Sequence, residues 1–335
     1  MMPPETSRIL PPDDATPAFP ENLPELPTPP DDEAFRRAIP AQVFLNHFYA
    51  LRLHLDEGGT PPPARLSTFR PRLQPGGEAT VKRLLRNAWS TEYALRNPAC
   101  PTDADPGAAN TLYWTFPQAF YSVAFSLRAF LAALGLTDSD EPTLRRHTGR
   151  LVERGYYPPA LGFYADGDYS QPSLHGLPYG RHAPGSLNPA SATRDAQAQL
   201  GQALRATRKL QFTHLRQQTQ ANPGTALRHA KTGNILTRFG VADWRKLTPL
   251  LGPTTFYDLL SRLRISDNFR EVERYVDAEI DFRLFHESLL RIVGAVNGVH
   301  EAYVARALGP RAYEEFLGSL RPYLRQVTDG RRVSL

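Results

Sequence analysis

The stretch 119-AFYSVAFSLRAFLAALG-135 decides how the rest of the chain is read. It is the most apolar run in the sequence, and no charge occurs between Pro106 and Leu127, so it is first weighed as a membrane span. Asn110, Thr111, Thr115, Pro117, Gln118 and Ser122 interrupt the run with polar or helix-breaking groups, and Arg128 sits inside its only strongly apolar part. A bilayer core calls for about 20 consecutive apolar residues and penalises a central arginine, so no span is expected. Phe116, Phe120, Val123, Leu127, Phe130 or Leu131, and Leu134 recur instead at helical spacing, while Phe125 and Ala129 make the other side apolar too. The pattern predicts a central core helix with neighbours on most sides.

Working outward, 39-IPAQVFLNHFYALRLHLDEGG-59 repeats the helical spacing through Val43, Phe44, His47, Phe48, Leu51 and Leu55 and stops at paired glycines. The turn-rich 60-TPPPARLSTFRPRLQPGG-77 separates it from a second helix over 78–97, stopped by Pro98. No alternating run appears in this half, so no sheet is expected there. Beyond the central helix, Leu144, Thr148 and Leu151 predict a helix over 143–157. Residues 158–191, dense in Pro, Gly, Tyr and Ser, read as a long loop of the kind that is functional or disordered. A polar helix over 193–221 follows. Residues 253–309 are nearly all helical in pattern, with Phe285, Leu289, Ile292, Val296, Val299 and Tyr303 as a core stripe, and a last short helix covers 310–327. The fold class expected is all-α, a multi-helix up-and-down bundle with a long loop-rich and basic helical insertion.

Residues 1–33 hold ten prolines and a net charge of −7, leaving +12 on the remainder of a chain whose formal charge is +5. Such a segment buries too little apolar surface to offset its ordering entropy and is expected to be a disordered acidic tail. The organisation expected is that tail, an N-terminal helical region over 34–110, and a bundle over 111–335 with its insertion at about 156–250. One cysteine, Cys100, excludes an internal disulfide framework and fits a reducing compartment, and the start shows no secretory signal pattern, so a cytoplasmic location is expected. Of the 39 basic residues 35 are arginine, which suits bidentate phosphate recognition but is equally produced by a GC-rich coding sequence.

Three separated pieces together resemble the HEPN family of helical bundles. The first is 120-FYSVAFSLRAFLAALG-135, aromatics followed by small residues and an Arg before an apolar run; the second is 144-LRRHTGRLVERGYYPP-159, a His-x-Gly segment closing in a basic-Gly turn; the third is 260-LSRLRISDNFREVERYV-276. The resemblance covers about 60 of 335 residues. It implies an up-and-down bundle of four or five helices, often a homodimer, frequently in bacterial defence, toxin–antitoxin or stress systems that act on RNA. Its nucleolytic members carry an Arg followed after four to six residues by a His, with no metal in the chemistry. The third piece, through 262-RLRISDNFR-270, contains no His.

That spacing does occur in 208-RKLQFTH-214, which makes Arg208 and His214 the candidate catalytic pair; two unrelated residues on a solvated helix is the plainer reading. Between Arg194 and Lys246 the chain carries a local charge of +8, and Arg205, Arg208, Lys209, Arg216, Arg228 and Lys231 are the candidate phosphate contacts. Tyr156, Tyr157, Phe163, Tyr164, Tyr169 and Tyr179, interleaved with His175, Arg181 and His182, either stack bases or pin the loop to the bundle. Glu279, Arg283, His286 and Glu287 share a helix face that suits an ion-pair network better than a metal. No nucleotide fingerprint, nucleophile elbow or two-His helical motif is present, and neither cofactor nor metal is expected. The function expected is binding, to RNA or to a protein partner, without catalysis; a metal-independent ribonuclease and a dimerisation scaffold are the alternatives.

Overall fold

Helices with apolar groups on more than one face can bury them only by packing on several neighbours at once, and that requirement sets the architecture. The computed structural model describes residues 33–59, 61–98, 115–137, 140–184, 188–229, 231–264 and 282–329, and within them the chain forms ten α-helices and one two-stranded hairpin. Helix α3 (Thr115–Ala133) is the quoted stretch, and Phe120, Val123, Ala124, Leu127, Ala129, Phe130 and Leu131 are all buried, so it is covered on almost every side. Its flanks are α2 (Gly77–Arg96) and α8 (Phe282–Leu308), and α1 (Glu33–Gly58) lies along α8 and α5 (Thr193–Ala221). The predominantly all-α class is as expected, and no helix among the described residues is long and apolar enough to cross a membrane. The expected acidic tail lies outside the described residues except for Glu33, which already belongs to α1.

Two features differ from the sequence reading, and two more add to it. The 158–191 stretch is not loop throughout: β1 (Tyr164–Asp166) pairs antiparallel with β2 (Ser173–His175), and Ala165 bridges Thr254 by two main-chain bonds. Each strand is only three residues long, too short for periodicity to betray it. The 156–250 segment packs into the bundle, where Leu161, Phe163, Leu177, Ala196, Leu200 and Leu204 share one core with α1, α3 and α8. The last helix is two, α9 (Pro310–Gly318) and α10 (Pro322–Asp329), since Pro322 opposes helical geometry in the residue before it. Between α5 and α8, α6 (Val241–Leu251) carries an internal Pro249, and α7 (Phe256–Ser261) begins at a Thr255 cap completed by Asp258.

The core also holds polar groups, several of them tied to one another. Asn297 on α8 donates to Glu92 Oε2 on α2 and to Ser122 Oγ on α3, both at 2.8 Å, and its oxygen lies 2.6 Å from Ser126 Oγ. Glu92, fully buried, also takes an ion pair from Arg96 at 2.7 Å. Ser126 Oγ is 2.8 Å from His300 Nδ1, and His300 Nε2 is 2.8 Å from the Tyr157 hydroxyl. Proton bookkeeping assigns the tautomer. The Asn297 amide faces the carboxylate with its NH₂, so its oxygen accepts the single Ser126 proton; Nδ1 of His300 must then donate to Ser126, and Nε2 accepts from Tyr157.

Burial holds the His300 imidazole down at about 3, and burial with the charge of Arg262 does the same to His47. Both bind fewer protons folded than unfolded between about 3 and 6.5, so their contribution is complete above 6.5 and is lost as pH falls through that window. Glu301 opposes them, since burial raises it to about 7 and its contribution fades as pH rises toward that value. Asp258, raised by burial, acts in the same direction as Glu301, and His54, lowered by burial, adds to the other two histidines; the three imidazoles outweigh the two carboxyls, and unfolding free energy is expected to drop as pH falls from 6.5. The histidines should separate by mutation. Neither nitrogen of His47 has a hydrogen-bond partner among the described residues, and Phe44, Phe48 and Leu51 surround it, so His47→Leu should raise stability at pH 5 by about 1–2 kcal/mol. His300→Leu strands Ser126 and Tyr157 and should cost about 2–4 kcal/mol at pH 7; urea unfolding of both variants across pH 4–7 measures this.

Candidate functional site

The six basic residues expected to contact phosphate are mostly committed elsewhere. Arg208 is only 2% exposed, and its guanidinium donates to the carbonyls of Gly167 and Gly252 at 2.6 and 2.8 Å and to Thr254 Oγ1 at 3.0 Å. It staples the β1–β2 hairpin to the segment between α6 and α7, which corrects its assignment as a phosphate contact or catalytic group. His214 is exposed six residues further along α5, about 9 Å along the axis and about a third of a turn away, so the two are not brought together. Arg205 donates to the Gly180 carbonyl at 2.8 Å, Arg216 lies over the rings of Phe239 and Trp244, and exposed Arg228 donates to the Gly233 carbonyl. Lys209 is half-buried on α5, and Lys231 is exposed in a turn beyond it.

The tyrosines are likewise engaged. Tyr157 is buried against His300, Phe163 is buried, Tyr164 stacks on His175 at 4.5 Å, and Tyr169 stacks on Trp244 at 4.2 Å. Of the six aromatics, Tyr179 is 43% exposed. On the α8 face, His286 donates to the Leu95 carbonyl and Glu287 pairs with Arg52, Glu279 lies outside the described residues, and no metal-binding group of three occurs among the described residues.

A different set of arginines converges. A cleft of about 440 Å³ opens between the ends of α3 and α4 (Glu141–Glu153) and the segment before α2. In that segment Phe69 is buried against Tyr303 at 4.9 Å and Leu73 packs on the core. Residues 69–74 belong to no helix or strand, and Arg70 and Arg72, which alternate along the chain with the inward Phe69 and Leu73, line the cleft. The Arg72 amide donates to the Ala133 carbonyl at 2.8 Å, and Arg65 Nε donates to the Arg154 carbonyl at 3.2 Å, tying the segment to both helix ends.

The opposite wall is α4, where His147, Arg150, Leu151 and Arg154 fall on one face at helical spacing. Both helices end the same way. Leu136 N–H returns to the Leu131 carbonyl and Tyr156 N–H to the Leu151 carbonyl, around Gly135 at φ +79° and Gly155 at φ +73°, a left-handed cap that only glycine adopts without strain. Leu134, Leu136 and Tyr156 then supply an apolar wall.

Charge in the cleft is one-sided. No acidic residue lines it, and among the described residues the side chains of Arg70, Arg72, Arg150 and Arg154 make neither ion pair nor hydrogen bond. Arg150 and Arg154 are favoured where they stand by the negative end of α4, but that dipole gives no reason for Arg70 and Arg72 to face them. Four like charges around one cavity repel unless an anion joins them, and guanidinium groups grip phosphate or carboxylate oxygens in pairs. The signal was in the sequence as Arg-Pro-Arg after a buried aromatic and as His147, Arg150 and Arg154 on a helical stripe; a proline-rich turn and a low local charge count hid it.

The Ser126–His300–Tyr157 chain has the residue types of a hydrolytic site but not its proton order. Ser126 and His300 are fully buried, and the imidazole donates to the serine instead of accepting from it. It braces the core.

Three substitutions test these placements. Arg208→Met should destabilise the fold by about 3 kcal/mol or more, since it leaves several buried carbonyls unpaired, while leaving anion binding in the folded protein intact; denaturant titration and binding on the same sample separate the effects. A Cβ on Gly135 would lie 2.7 Å from the Arg72 carbonyl oxygen, whereas one on Gly309, at the similar φ of +82°, meets nothing within 4 Å. Both Gly→Ala changes should cost about 1–2 kcal/mol through backbone strain, but only Gly135→Ala should weaken anion binding, by displacing Arg70 and Arg72.

Set against protein-family models, curated proteins and solved structures, the chain finds no match in any of the three.

Proposed function

We propose that the protein binds RNA, with the cleft between α3 and α4 as its phosphate-recognition site, and that it acts by binding and not by catalysis. The observation that carries this reading is the convergence of Arg70, Arg72, Arg150 and Arg154 on one cavity without a counter-charge. Arginine is the side chain suited to such a site, because its planar fork meets two phosphate oxygens at once. The charge of +12 outside the acidic N-terminal segment favours a polyanion over a neutral ligand. RNA in particular is supported by the HEPN resemblance, whose first two pieces form α3 and α4 on either side of the cleft; the third lies beyond residue 264 largely outside the described residues. Association with a second copy or a protein partner in a stress or defence system belongs to the same proposal.

The ribonuclease alternative has one observation in its favour, namely that His147 lines the same cleft as the four arginines. A neutral imidazole there would be able to accept a ribose hydroxyl proton while a guanidinium meets the phosphate.

Binding of a single-stranded RNA oligonucleotide by the full chain should weaken steeply with salt, and the pair Arg70→Gln with Arg150→Gln should reduce affinity about tenfold or more and flatten the salt slope by about 0.7 for each phosphate no longer neutralised. The pair Arg228→Gln with Lys231→Gln should change it little. Equal losses in both pairs would replace the cleft with diffuse attraction. RNA cleavage that persists in chelator and disappears in His147→Ala would establish the ribonuclease reading instead. Self-association insensitive to salt, with neither binding nor cleavage, would leave a dimerisation scaffold.

A further inference from the structure

Resting on the cleft as the phosphate site, we infer that its ligand is a terminal di- or triphosphate attached to a nucleoside, and not the internal phosphodiester backbone. The argument is one of charge against volume. A cavity of 440 Å³ is equivalent to a cube about 8 Å on edge, within the range of small-ligand sites and roughly the room one nucleotide needs. A strand passing through that space brings one or two diester groups, each carrying a single negative charge. Four guanidinium groups would remain under-neutralised. A terminal phosphate carries up to about −2 on its own, and two or three linked phosphoryl groups concentrate roughly three to four charges in the span of one nucleotide. Only that density matches Arg70, Arg72, Arg150 and Arg154.

The walls divide the work. Arg70 and Arg72 approach from the segment before α2 and Arg150 and Arg154 from the end of α4, so the phosphoryl groups are gripped from two sides. Leu134, Leu136 and Tyr156 form the apolar part of the lining, where a base or ribose face is sheltered from water. The backbone carrying each arginine is held by the Arg72 amide on Ala133, by Arg65 on Arg154 and by the two glycine caps. Little backbone ordering is then left for the moment of binding.

The test uses the full chain, in chelator, with one RNA sequence carrying a 5′-hydroxyl, a 5′-monophosphate or a 5′-triphosphate, and with inorganic tripolyphosphate and a nucleoside triphosphate as competitors. The 5′-triphosphate strand should bind at least tenfold tighter than the 5′-hydroxyl strand, and tripolyphosphate should displace it. Arg70→Gln with Arg150→Gln should erase the difference between the ends. Both side chains are exposed, so the variant is expected to fold, and its melting temperature without ligand checks that. Equal binding of all three strands would overturn the inference while leaving RNA recognition in place. Binding of the free nucleoside triphosphate without any strand would support the inferred ligand chemistry and overturn the RNA reading. No binding of strands, and no rise in melting temperature with tripolyphosphate, would overturn both.

Discussion

The Asn297 side chain is the constraint on which the arrangement of the central helices depends. It stands where α2, α3 and α8 meet, with its NH₂ on Glu92 and Ser122 and its oxygen on Ser126. In a low-dielectric interior an amide that loses such partners pays their full desolvation cost, so a sliding or rotation of any one helix is resisted far more sharply than apolar contacts alone would resist it. A shift of one residue turns a helix by about 100° and would remove all three bonds together. The apolar contacts around it, including Phe130 stacked on Tyr303 at 4.4 Å, supply the burial energy but would tolerate several registers.

From that fixed register the cleft inherits its geometry. Tyr303 lies two turns beyond Asn297 on α8, and its ring receives Phe69 edge-on while its hydroxyl donates to the Tyr156 carbonyl. Phe69 is next to Arg70, and Tyr156 follows the cap of α4. One aromatic residue of the core therefore sets the positions of both walls, the segment with Arg70 and Arg72 and the end of the helix with Arg150 and Arg154. This is the support a binding site needs, with its charged groups on backbone held by buried contacts.

The class of the fold was legible because burial on several helix faces leaves a long, dense apolar pattern, as in α3 and in the stripe from Phe285 to Tyr303. The network inside it was not. Ser122 reads as a polar interruption of a core helix, and only the arrangement in space shows that it and Ser126 face Asn297. That most of the expected phosphate contacts are engaged within the fold was hidden for a related reason. Between Arg194 and Lys246 charge per residue is high, yet a sequence does not distinguish an arginine that caps carbonyls from one that meets solvent. Arg208, Arg205 and Arg228 donate to main-chain oxygens and Arg216 rests on rings. Arg70 and Arg72 lay in a proline-rich turn and Arg150 and Arg154 on a helix 80 residues later, and chain folding alone brings the two pairs to one cavity.

Arginine thus plays two opposite parts in one chain, and the difference is where the carbonyl oxygens are. A short hairpin and the non-helical segments around Gly167, Gly180 and Gly252 leave main-chain acceptors that no helix or sheet satisfies, and arginines on α5 fill them; burial of the Arg208 charge is tolerable because its guanidinium meets several oxygens, while Arg205 meets the Gly180 carbonyl. At the ends of α3 and α4 the carbonyls of Leu131 and Leu151 are taken by the amides that follow Gly135 and Gly155, that of Ala133 by the Arg72 amide and that of Arg154 by the Arg65 guanidinium. With those acceptors used, the side chains of Arg70, Arg72, Arg150 and Arg154 make no hydrogen bond among the described residues. The glycine caps therefore do more than stop two helices: with the Arg72 amide and Arg65 they satisfy the helix ends and leave the four arginines of the cleft unengaged.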